Sequence, residues 1–120
     1  MSISEINVRI NRFRESLVKS VKDFGAGDDF TDVTLACDGG KAVKAHRIIL
    51  SIFSPVLKDI LLPNHSETSY IYFKGVQFET LISVIQFMYF GEVTLQSLNL
   101  DDFLQFCIEL KLRMLRKMFN

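Results

Sequence analysis

The side chains best suited to chemistry in this chain are His46, His65, Cys37, Cys107, Ser51 and Ser54. An imidazole titrates near neutrality and ligates zinc, so the histidines invite an acid–base or a metal reading. Neither finds the company it needs. His65 sits in a polar stretch, the cysteines form no C-x-x-C pair, and no G-x-S-x-G elbow or glycine-rich phosphate loop occurs. Ser54 precedes Pro55, the pairing of a helix cap with a first-turn proline, and Ser51 lies in a tightly apolar segment, so capping and packing account for both serines. His46 reads as a hydrogen-bonded histidine at the entry of a helix. No catalytic residue, no metal site and no cofactor are expected.

Charge excludes further classes. Lys+Arg and Asp+Glu are 14 each, so the chain has no net field to draw it along a phosphate backbone, and no direct nucleic-acid contact is expected. The basic group Lys111, Arg113, Arg116 and Lys117 gathers where the negative end of a last helix would lie, a placement that the helix dipole favours by itself. Cys37 and Cys107 each fall in an apolar pattern, which suits buried free thiols in a reducing compartment. The N-terminus lacks a cationic and apolar leader, and no run approaches the roughly 18 apolar residues of a membrane span. The expectation is an intracellular, soluble protein without membrane contact.

These residues need elements to hold them. Ile6, Val8 and Ile10 alternate with polar residues, the period of a strand. From Phe13 the period becomes helical through Leu17, Val21 and Phe24, ending at Gly25 and Gly27. Thr31 to Cys37, the turn Asp38-Gly39-Gly40 and Val43 to Ala45 predict a β-hairpin. Ile48 to Phe53 predicts a short buried helix, and Ser54-Pro55 opens another that runs to Leu62, where Pro63 stops it. After the polar loop Asn64 to Ser69, Tyr70 to Phe73 predicts a strand. Phe78, Leu81, Ile82, Ile85 and Met88 predict a helix closed by Gly91. Val93 to Leu95 predicts a short strand. Asn99 is the expected cap of a last helix whose apolar face runs through Leu100, Phe103, Leu104, Cys107 and Ile108.

The whole is an α+β domain, a small sheet flanked by a cluster of about five helices. With 120 residues, 48% of them hydrophobic and 11 of them Phe, residues 1–120 make a single domain with ample core. That much apolar surface on a small domain also suggests cover from a partner.

Four separated motifs carry a resemblance. They are Phe30-Thr31-Asp32-Val33-Thr34-Leu35, Lys44-Ala45-His46-Arg47-Ile48-Ile49-Leu50-Ser51, Phe53-Ser54-Pro55, and Phe87-Met88-Tyr89-Phe90-Gly91-Glu92-Val93. In order and spacing this chain resembles the BTB/POZ domain, and the last motif resembles the insect tramtrack-type branch. The segment Ile6 to Asn11 aligns in position with that branch's N-terminal strand.

The resemblance implies a BTB/POZ fold with a core over residues 30–112 and an N-terminal strand and dimerisation helix over 6–24, the strand exchanged in a dimer. It implies an interface of Ile6, Val8, Ile10, Phe13, Leu17 and Val21, with Ile48, Ile49 and Ile52 nearby; the competing reading packs the same stripe within one chain. An N-terminal strand has few local partners, and an unpaired edge is an aggregation hazard, so the interface is the reading taken. Asp32 and Arg47 resemble the family's charged pocket, either as a structural ion pair or turn cap or, beyond that, as a recruitment site. The implied function is homodimerisation or larger assembly of a transcription or chromatin regulator in the nucleus. The implied partners are the chain itself, other proteins of the family and co-regulators. The alternative is a substrate adaptor for a cullin-type ubiquitin ligase, which would use a surface around Leu57 to Leu62 and the following loop.

Overall fold

The computed structural model describes residues 4–25, 27–64 and 69–114. His65, Arg116, Lys117 and most of the Asn64 to Ser69 loop lie outside them. The helix expected from Phe13 forms, whereas the strand expected over Ile6 to Ile10 does not form within the single chain. Residues 4–10 form no regular element, Arg12 turns the chain with φ 56°, and helix α1 runs Phe13–Gly25.

Strands β1 (Val33–Cys37) and β2 (Ala42–Ala45) form the expected antiparallel hairpin, with Leu35 opposite Val43. Its turn uses the two glycines for their freedom: Gly39 and Gly40 have φ 88° and 74°, a region that side chains with a Cβ avoid. Helix α2 (Arg47–Phe53) follows at once, and α3 (Pro55–Leu61) opens on Ser54, whose hydroxyl accepts the Leu57 N–H. Strand β3 (Ser69–Phe73) then returns to the free side of β1 and pairs with it in parallel, giving the sheet order β2-β1-β3. Helices α4 (Phe78–Phe90) and α5 (Leu100–Glu109) complete the chain. Gly91 ends α4 with φ 77°, its N–H on the Phe87 carbonyl, as the sequence predicts. Five helices on a three-stranded sheet are the α+β architecture expected.

The core lies between the inner face of the sheet and α2 to α5. Leu35, Leu50, Leu57, Leu61, Leu81 and Met88 are fully buried in it. Two edge-to-face aromatic pairs tie α5 down, Phe106 on Phe73 at 5.2 Å and Phe103 on Phe87 at 5.6 Å between ring centres. Both cysteines are buried free thiols. Burial pushes the Cys107 thiol up to about 11.

Three expectations need correction. Val93 to Leu95 forms no strand; the stretch is irregular and leads into a 3₁₀ turn at Ser97–Asn99, because none of the described residues pairs with it. Asn99 stands at the cap position with helical backbone, and its side chain makes no capping bond; the preceding turn supplies the helix entry instead. The buried face of α5 is Phe103, Phe106 and Cys107, with Leu110 after it, whereas Leu100 and Ile108 are exposed. The apolar arc of α5 is wider than the face the core can cover, so the core took one side of it.

Candidate functional site

Helix α1 is the least covered regular element. Phe13, Leu17, Val21 and Phe24 share one face, and Val18 adds to its edge, yet only Val21 is half-buried, against the core that includes α4. Leu17 and Val18 stay 53% and 54% exposed, where a core-facing residue would be near zero. Ahead of the helix, Ile6, Val8 and Ile10 are exposed as well, Ile6 at 86%.

Between α1 and the body of the domain runs an apolar groove of about 610 Å³. Leu17, Val18 and Val21 form one wall; Ile49, Ile52 and Phe53 of α2, Phe87, Met88, Tyr89 and Phe90 of α4, and Met114 form the rest, with Lys22 at the margin. The structure thus brings Leu17, Val21, Ile49 and Ile52 together. Ile6, Val8, Ile10, Phe13 and Ile48 do not line the groove. Ile49 belongs to the core, with 4% of its surface accessible, and forms the floor of the groove. Ile48 and Ile52, on the outer side of α2, are exposed. The sequence reading missed Val18 and Met114. Val18 follows a stripe residue directly, so the second row it makes on α1 was legible as a wide apolar face.

The chain end is fixed beside the groove. After α5, Lys111 turns with φ 51° and the Arg113 N–H donates to the Phe53 carbonyl at 2.9 Å, which seats Met114 at the groove wall.

Asp32 and Arg47 do meet. Asp32 Oδ1 accepts the Arg47 backbone N–H at 2.7 Å, which caps the start of α2 where His46 offers no side-chain cap. Its Oδ2 lies 3.6 Å from Arg47 Nε, and Arg47 Nη2 donates to Ser69 Oγ at 2.8 Å. The Asp32 N–H donates to the Ala45 carbonyl, and the Asp32 carbonyl accepts the Ser69 N–H. One residue therefore ties β2, β3 and α2 together. The Arg47 side chain is 13% exposed and that of Asp32 47% exposed, so one oxygen edge faces solvent.

His46 is buried and fully engaged. Its Nε2 lies 2.6 Å from the Asp29 carbonyl, which can only accept, so the hydrogen is on Nε2. Its Nδ1 lies 2.7 Å from the Tyr89 hydroxyl, and that hydroxyl accepts the His46 backbone N–H at 2.8 Å. Burial pushes the Tyr89 phenol up to about 12, against the pull of the His46 N–H. Neither ring nitrogen is left to move a substrate proton or hold a metal. Ser54 is equally occupied: its hydroxyl accepts from Leu57 and donates to the Leu110 carbonyl at 2.7 Å, joining α3 to the end of α5. Ser51 sits half-buried inside α2.

Known proteins with this pattern agree on one family. A family model described as the BTB/POZ domain matches residues 21–120. The Drosophila melanogaster Longitudinals lacking protein-like is 38% identical over 103 residues, covering 86% of this chain and 80% of that protein. The Drosophila Transcription activator GAGA is 33% identical over 90 residues, covering 75% of this chain and 15% of that protein, so this chain matches a small part of it. Among solved structures, the BTB domain of zebrafish PATZ1 superposes with a TM-score of 0.77 at 11% identity, covering 95% of this chain and 93% of that one, a likeness of fold.

Proposed function

From the premise that this chain belongs to the BTB/POZ domain family, a family of protein-interaction modules, we propose that it homodimerises through the α1 face and exchanges its N-terminal segment. The observation that carries this is α1 itself: thirteen residues with an apolar stripe that the rest of the described residues leave mostly in water. Burying a side chain of this kind is worth about 1.5–3 kcal/mol, and an isologous interface makes each contact twice. Leu17, Val21 and Ile52, together with Phe13, Ile48, Ile6, Val8 and Ile10, supply the contacts, and Ile49 supports them from below.

Two segments alternate apolar and polar residues yet form no ladder within one chain, Ile6 to Ile10 and Val93 to Leu95. Pairing the first of one copy with the second of the other would satisfy both, and explains why Val93 to Leu95 reads as a strand and is none in the single chain.

The role served is assembly of a transcription or chromatin regulator in the nucleus, a reading supported by the likeness to Transcription activator GAGA. The domain acts without catalysis, since its buried histidine and serine are spent on structure. Asp32 and Arg47 hold the junction of sheet and α2, with the exposed edge of Asp32 open to a co-regulator. A second reading, substrate adaptor for a cullin-type ubiquitin ligase, draws on Ile60 and Leu62, exposed at the end of α3, although Leu57 and Leu61 beside them are buried. Capture of cullin from cell extract by the tagged chain would favour it.

Light scattering coupled to gel filtration tests the main reading on the intact chain and on one lacking residues 1–11. Twice the 13.8 kDa of the chain is expected, with dissociation or aggregation on truncation. A stable monomer of the intact chain would sink the dimer.

A further inference from the structure

Phe30 breaks a local rule. Asp28 to Thr31 is a tight turn in which the Thr31 N–H and its Oγ1 both reach the Asp28 carbonyl, at 3.3 and 3.0 Å. Its third position has φ 63°, where turns take glycine or asparagine, and here it carries a phenylalanine. A bulky residue held in the left-handed region is strained, and such strain persists where something else over-determines it. Burial inside the chain is not that something, because Phe30 is 84% exposed.

The place of the ring supplies the reason. Phe30 meets the Phe24 ring edge-on at 6.1 Å, and Phe24 in turn lies 5.6 Å from the His46 ring, whose nitrogens are fixed by Asp29 and Tyr89. Phe24 is the last member of the stripe Phe13, Leu17, Val21 and Phe24. The turn therefore extends the apolar face of α1 beyond the helix end, on a seat anchored to the buried histidine. We propose that Phe30 is an anchor of the interface between two copies of this chain, held out of its preferred backbone so that its ring continues the α1 face and is covered by the second copy. The occupant is a second copy because the ring is continuous with the face on which the dimer reading, and so this inference, rests. Aromatic side chains presented rigidly at an interface carry a large share of its binding energy.

The test compares Phe30→Asn, which suits the left-handed turn and removes the ring, with Phe30→Tyr, which keeps the ring. Dimer dissociation constants are measured by sedimentation on the full chain. Twofold symmetry removes two rings at once, so Phe30→Asn should weaken the dimer about a hundredfold, tenfold per ring, and Phe30→Tyr by less than about threefold. If the parent chain dimerises and Phe30→Asn dimerises as tightly, the anchor is refuted and the dimer stands. If the parent chain is a monomer at every concentration, the dimer reading falls, and the anchor with it. A second readout is independent of association: in a monomeric Leu17→Asp background, Phe30→Gly should melt no lower than its parent, because relief of the turn offsets the loss of the single edge contact with Phe24. A clear drop in melting temperature there would show that the ring serves its own chain and would overturn the proposal.

Discussion

Helices α1 and α4 are both thirteen residues long and both carry an apolar stripe, and their fates are opposite. In α4, Leu81, Val84, Ile85, Met88 and Tyr89 are buried among sheet and helices. In α1, Val21 alone is half-buried and the rest of the stripe faces water. Periodicity thus reports that a face will be buried, and leaves open by which chain. The difference lies in what surrounds the stripe: α1 carries Arg14, Glu15, Lys19, Lys22 and Asp23 on its other sides and remains a soluble surface helix, whereas α4 has a charge only at Glu79.

If that contrast is right, truncating α4 should hurt most. Leu81→Ala opens a cavity in the core and should cost about 2–5 kcal/mol in urea unfolding. Next, Ser54→Ala removes a helix cap and leaves the Leu110 carbonyl unpaired in the interior, about 2–3 kcal/mol by the same measurement. Leu17→Asp should change the stability of the isolated chain by less than about 0.5 kcal/mol, as surface substitutions do, while halving the mass seen by light scattering. Equal losses of stability for Leu17→Asp and Leu81→Ala would erase the contrast.

The smallest effect belongs to the far end of the sheet. The Tyr72 hydroxyl and then the Gly75 N–H, both donating to Asp38, hold its carboxyl below the usual range. A depressed folded pKa stabilises above the unfolded value of about 3.9, and that contribution is lost as pH falls through the folded one. Tyr72→Phe should move the Asp38 titration back up in carboxylate NMR, with no change in association.

Local signals carried most of the fold. Ser54-Pro55, the Asp38-Gly39-Gly40 turn and Gly91 each mark an element end by chemistry that acts over a few residues, and each stands where the sequence puts it. What depends on distant partners was hidden. The parallel pairing of β1 with β3 leaves no mark on either strand. On α5 apolar residues fill both sides of the arc, so the pattern could not choose Phe106 over Leu100. Of the candidate site, the stripe of α1 and the meeting of Asp32 with Arg47 were visible, the first by period and the second by likeness. That Ile49 is buried while Ile48 and Ile52 are exposed was hidden, because a two-sided apolar helix does not say which isoleucine faces in. Phe30 stands at the head of the motif Phe30 to Leu35, but nothing in the sequence marks its backbone angle.

The parallel pairing also sets an order of events during synthesis. The β1–β2 hairpin can close as soon as Ala45 has emerged, whereas β3 ends at Phe73, beyond α2 and α3. From Cys37 to Phe73 is 73 − 37 = 36 residues, about 2–7 s of translation at roughly 5–20 residues per second. For that interval the second edge of β1 is open on the ribosome. A neighbouring nascent chain could pair there, so the protein's window for mispairing closes only when Tyr70 to Phe73 arrive.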